Sequence, residues 1–103
     1  MSTIPQHSYP NVPLPAGAVF GNIWEGDDPE RVITGPNRGI TDSDVFVRTT
    51  AIQRADGRID VEPNEPPLVH TEGDTDGLNS DQVRELAAVL LEAAAELDGW
   101  ATR

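Results

Sequence analysis

The chain contains no cysteine and no lysine. Without cysteine it forms no disulfide and no thiolate metal site, and its redox compartment leaves no trace. Positive charge is scarce: 7 bases stand against 18 acids, a formal net charge of −11. Such a chain is repelled by nucleic-acid phosphates and by anionic lipid surfaces. Direct nucleic-acid binding and membrane binding are therefore not expected. Solubility is the plain reading of the acidity. The sharper one is attraction to a basic partner, in the manner of a nucleic-acid-mimicking decoy. The opening "MSTIPQHSYPNVPLP" has neither a basic start nor an apolar run. It reads as neither signal peptide nor membrane span, so a cytoplasmic location is expected.

Residues that carry chemistry are also few. The only histidines are His7 and His70, and neither has neighbours at metal-ligand spacing. The serines Ser2, Ser8, Ser43 and Ser80 include none in a G-x-S-x-G elbow. "GPNRG" lacks the lysine and the following Ser or Thr of a phosphate loop. Acid pairs such as Asp27/Asp28 and Asp42/Asp44 are expected by chance at this acid density. A small core also has little room to desolvate a carboxylate and raise its pKa. The sequence thus predicts no catalytic, cofactor-binding or metal-binding residue, and a non-enzymatic protein. A small-molecule binder or enzyme remains as an alternative, and it requires a pocket lined by residues such as Arg48, His70 and Trp24.

What is present suffices for one small domain: 103 residues, 37% of them apolar. Nine prolines and nine glycines imply much irregular structure. Pro5, Pro10, Pro13 and Pro15 make residues 1–17 an extended or disordered arm ahead of a single domain at 18–103. "AVFGNIWE" (18–25) reads as a short strand with Trp24 as a core anchor, and "RVIT" (31–34) as a second; "GPNRG" reads as a turn. In "SDVFVRTTAIQR" (43–54), Val45, Val47, Thr49 and Ala51 alternate with Phe46, Arg48, Thr50 and Ile52. This is the strongest strand signal, with one face partly wet. Asp56-Gly57 supplies the two positive-φ residues of a tight hairpin turn, and "RIDVE" (58–62) returns. "LVHT" (68–71) is a further strand. "EGDTDG" (72–77) reads as a solvated acidic loop, since its spacing does not fit a calcium loop.

The C-terminal stretch "LNSDQVRELAAVLLEAAAELDGW" (78–100) has a helical period. Asn79 and Gln82 form a capping box, Leu78 and Val83 a hydrophobic staple, and Gly99 a stop, which places the helix at about 80–98. Val83, Leu86, Ala87, Leu90, Ala94 and Leu97 make one stripe. Val89, Ala93 and Trp100 widen it on one flank and Leu91 on the other, while Arg84, Glu85, Glu92 and Glu96 hold the wet side. The apolar arc covers roughly half the circumference, against the ~100° of an ordinary surface helix. A thin sheet leaves some of that arc bare, and bare apolar patches attract partners. The predicted interface is Val89, Ala93, Leu97 and Trp100, buried against a second copy in a homodimer, beneath the N-terminal arm, or against another protein.

Two features indicate a source. All the bases are arginine, whose codons are GC-rich, and Ala, Gly, Pro, Val and Asp are abundant; the genome is read as GC-rich. The hairpin "VFVRTTAIQRADGRIDVE" followed by a capped helix carrying Leu78, Gln82, Leu86, Ala87, Leu90 and Ala93 or Ala94 resembles small actinobacterial and actinophage proteins of unknown function. In these a D-G hairpin precedes an L-T-x-x-Q-A-x-x-L-A-x-x-L-x-x-A helix, and Asn79 here replaces the threonine. The resemblance covers about the last 60 residues. It implies a small accessory protein, phage- or actinobacterium-encoded, and brings no catalytic residues. The fold expected is α+β: a small, mostly antiparallel sheet of four or five short strands with one long C-terminal helix on one face. The function expected is protein–protein interaction, with a host protein as a possible partner.

Overall fold

A nine-residue strand, β4 (Phe46–Arg54), organises the molecule. The computed structural model describes residues 11–101, and in it Val47, Thr49, Ala51 and Gln53 of β4 are buried while the alternate residues are half-buried. That alternation is the period-2 signature of a strand with one face covered. The sequence carried it legibly.

All strand pairs are antiparallel. Along one edge of β4 runs β2 (Glu30–Thr34), in register from Glu30↔Arg54 to Thr34↔Thr50. β3 (Arg38–Gly39) resumes on the same edge at Arg38↔Val47. Between them the chain advances one residue more than β4 does. Pro36, which has no N–H to donate, lies in this bulge. On the opposite edge β5 (Leu68–Glu72) pairs from Phe46↔Glu72 to Thr50↔Leu68. β1 (Phe20–Gly21) flanks β2. The result is a five-stranded sheet with α1 (Ser80–Ala101) packed across β4 and β5, an α+β fold.

Several local expectations need correction. The strand read at 18–25 shrinks to Phe20–Gly21, followed by a Glu25↔Glu30 bridge. "GPNRG" is not only a turn, because it contains β3. The hairpin at 43–62 turns where expected, but its return limb holds β4 only through Gln53↔Ile59 and flanking bonds such as Asp60 N–H to Ile52 O, 2.8 Å. Its turn also differs. Gly57 alone has positive φ, at 92°. Gly57 N–H donates to Arg54 O and Arg54 N–H to Arg58 O, a three-residue loop closed by a left-handed glycine. Asp56 needs no positive φ because its carboxylate accepts the Arg58 N–H instead, 2.9 Å.

The helix begins as predicted. Gln82 N–H donates to Asn79 Oδ1 (2.8 Å) and Asn79 N–H to Gln82 Oε1 (3.0 Å), a reciprocal capping box. It does not stop at Gly99 and runs to Ala101. Trp100 explains the extension: it is 1% exposed, and its indole N–H donates to Ala16 O at 2.9 Å. An anchored tryptophan on the last turn outweighs the ~1 kcal/mol preference against a helical glycine.

The principal core cluster joins Ile33, Ala51, Ile59 and Trp100, with Leu14, Ala18 and Leu97 packed on it. The arm is therefore not separate from the domain over residues 11–17. Arg31 donates to Val12 O (2.8 Å) and Gln53 to Pro13 O (3.1 Å), which bind this extended segment to the sheet. Residues 1–10, with His7, lie outside the described residues.

Candidate functional site

Three polar side chains of α1, Gln82, Glu85 and Glu96, turn inward beside its apolar ones. Gln82, Glu85, Val89, Ala93, Glu96 and Trp100 recur at i, i+3, i+4 spacing and lie on the sheet side. Gln82 Nε2 donates to Thr41 O and Asp42 O, and Glu85 accepts from Thr41 N–H at 2.8 Å. Glu96 reaches between helix and sheet. Its Oε1 accepts from the Thr49 hydroxyl (2.7 Å) and its Oε2 pairs with Arg38 Nη2 (3.2 Å). Glu92 adds a second carboxylate 3.5 Å from Arg38. A Cβ on Gly35 would collide with both the Thr49 hydroxyl and the Glu96 carboxylate, so glycine there makes room for the pair.

The predicted interface is thereby corrected. Ala93 is 0% and Trp100 1% exposed within the single chain, and Val89 and Leu97 are half-buried on the same side. The flank read as surplus is the flank the sheet and the arm cover. Glu96, read as wet, faces inward. The surplus itself persists, rotated to the other flank. Leu91 is 73% exposed, and Ala87, Ala88, Ala94 and Ala95 are exposed around it. The sequence offered the signal in the spacing of Gln82, Glu85 and Glu96 along the Val89–Trp100 line. A purely apolar template discounts such a line because it carries charge.

The second sheet face carries no helix. Val32, Ile52 and Leu68 share it with Thr50, and a shallow groove of about 190 Å3 lies between these strands and Pro66. Arg48 and His70 are cross-strand partners on this face. Arg48 is paired with Glu72 at 2.7 Å, and His70 Nε2 shares a 2.8 Å hydrogen bond with the Thr50 hydroxyl. Trp24 is not with them. It stands beyond β1, with the Arg31 guanidinium 4.5 Å above its ring, three strands away from β5. It is half-buried under Arg31 and is not the core anchor expected. The pocket of Arg48, His70 and Trp24 is not assembled.

At the hairpin end, Arg54 bridges Glu30 (2.5 Å) and buried Asp60 (2.6 Å), with Glu65 at 3.9 Å. The Glu62 backbone N–H, and then the Arg54 charge, hold the Asp60 carboxyl below the usual carboxylate range, against the opposing effect of burial. Asp56 is lowered likewise by the Arg58 backbone N–H. Burial lowers Arg31. Among the described residues no buried side-chain polar atom lacks a hydrogen bond, no three His, Asp or Glu group to hold a metal ion, and no helix is long and apolar enough to cross a membrane. No protein-family model, curated protein or solved structure matches this chain.

Proposed function

We propose that this chain is a small acidic accessory protein that acts by protein–protein contact, without chemistry of its own. The supporting observation is where its exposed apolar side chains stand. A two-layer α+β molecule covers only the inner faces of its layers. Here the outer ones carry Leu91 on α1, and Phe20 (57% exposed) and Ile23 (78%) with Val19 at the β1 edge. Apolar groups gathered on unlayered faces mark contact surfaces. The arginines beside the clefts are engaged with neighbouring acids, which leaves little unpaired chemistry. Self-association through α1 belongs to this reading. So does a host-protein partner for a phage- or actinobacterium-encoded protein, supported by the arginine-only composition and the helix resemblance.

A nucleic-acid-mimicking decoy is less well supported. It requires the acids at 60–76 to form one continuous face, whereas Asp60 is buried and Asp60, Glu65 and Glu72 are engaged by Arg54 and Arg48. The test is affinity capture from an actinobacterial lysate with the full chain and two surface variants, Ile23→Asp and Leu91→Glu. We expect a defined protein that the parent retains and one variant loses, while both variants melt within about 2 °C of the parent. Identical retained sets from all three contradict the reading.

A further inference from the structure

The geometry points to a second copy of this chain as the occupant of the outward face of α1, paired antiparallel about Leu91. This rests on the contact reading above and specifies its partner, its register and its symmetry. The face is composed of Arg84, Ala87, Ala88, Leu91, Ala94, Ala95 and Asp98, all exposed. On a helical wheel every one lies within about 60° of Leu91. The inward face is taken up by the sheet and by residues 11–18, so, Val83 in the first turn and the terminal Ala101 apart, the apolar side chains of the helix left uncovered by the described residues lie on this strip.

The order of residues along the strip is symmetric in size and opposite in charge. One turn either side of Leu91 stand Ala88 and Ala94, with Ala87 and Ala95 just beyond. Two turns before it stands Arg84, and two turns after it Asp98. A two-fold axis through Leu91 sets residues equally far from it, on the two copies, against each other. Alanine then meets alanine, and Arg84 of each copy meets Asp98 of the other, twice. A parallel pairing sets Arg84 against Arg84 and Asp98 against Asp98, and both contacts repel. Charge complementarity thus selects the antiparallel arrangement from the strip's own sequence.

The rest of the helix permits this approach. Glu85 and Glu96 are turned towards the sheet, and Glu92 leans to Arg38 at the flank, so no carboxylate other than the terminal Asp98 lies on the strip. Alanines bring the helix axes to about 8 Å. Arg84 presently holds Asp81 at 3.1 Å, but both are highly exposed and such a pair is worth little, so it yields to a new partner. An alanine-rich strip of this length buries less than the ~1,200 Å2 of a stable interface. The dimer is therefore reversible, and populated at roughly 100 µM and above.

Sedimentation equilibrium on the full chain from about 10 µM to 1 mM tests this. The parent is expected to show a monomer–dimer equilibrium, and Leu91→Glu to remain monomeric with an unchanged melting temperature. Arg84→Asp and Asp98→Arg should each weaken association roughly ten-fold. The double variant R84D/D98R should restore it, since the unlike charges then face each other in exchanged positions. Asp98→Arg makes the chain less negative, so weakening there cannot come from general repulsion. A dimer that survives Leu91→Glu, or that ignores the charge swaps, overturns the strip while leaving contact through another surface standing. A parent that stays monomeric to 1 mM overturns the pairing, and the lysate capture then decides separately whether the chain acts by contact. If Leu91→Glu lowers the melting temperature of a monomer, the strip is covered within the chain, by its first ten residues or otherwise, and the proposal fails.

Discussion

At the scale of single residues, the Arg54–Asp60 pair ties the hairpin loop to the sheet. Arg54 closes β4, Asp60 follows the one bridging residue of the return limb, and Glu30 opens β2 beside them. The sequence does not reveal this, because Arg54 and Asp60 meet across a three-residue loop where Asp56-Gly57 predicts a two-residue turn. Had the turn been a two-residue loop, the return limb would have paired in another register, and its side chains would have changed faces. Asp60 titrates at a lower pH when folded than when unfolded, owing to the Glu62 N–H first and Arg54 next. The sign follows from linkage. A carboxyl depressed by folding adds stability that is complete above its unfolded value, ~3.9, and is lost as the pH falls through the folded value. The urea midpoint of the parent should therefore exceed that of Asp60→Asn at pH 7, and the gap should narrow towards pH 3. The gap between the two proteins is the diagnostic quantity, because other carboxylates shift both midpoints together. An equal gap at both pH values would show that Asp60 contributes shape and not charge.

At the scale of elements, regular patterns were legible and their interruptions were not. β4 and α1 show clean periods of 2 and 3.6, and the capping box is written in two residues, Asn79 and Gln82. β1 and β3 have two residues each and no period to read; each exists because a neighbour supplies its partners. The rotation of the helix is not legible in this way, because periodicity places a stripe without naming its central line. Here Glu96 and Glu85 could turn inward because Arg38, Thr49 and Thr41 were waiting across the interface, and that is tertiary information. The helix end is hidden for a related reason. Gly99 ends a helix by local preference, but Trp100 beyond it is locked into the core. Gly99 therefore remains helical at an entropic cost, and a Cβ there meets nothing within 4 Å. Gly99→Ala should then stabilise the protein by roughly 0.5–1 kcal/mol, seen as a higher urea midpoint with an unchanged slope. A lower midpoint would mean that the last turn is not helical in solution.

At the scale of the whole molecule, charge imbalance opposes the fold while local pairing supports it. Arg38, Arg48, Arg54, Arg58 and Arg84 are each in an ion pair with a neighbouring carboxylate. Acids nevertheless exceed bases by eleven, so most of the surface remains one-signed. Added salt weakens both effects, and their reach decides which matters more. The pairs act over 2.5–3.9 Å, well inside the Debye length of ~10 Å at 0.1 M, and several are part-buried. The repulsion is spread over the whole surface, where most separations exceed that length. Salt should therefore remove more repulsion than attraction. Raising sodium chloride from about 20 to 300 mM at pH 7 should raise the melting temperature, with ~1 kcal/mol corresponding to roughly 4–8 °C in a domain of this size. The same step near pH 4, where many carboxylates are protonated, should have a smaller effect. A melting temperature that falls with salt at pH 7 would place the pairs around Arg54 and Arg38 above the net charge as the main electrostatic determinant of stability.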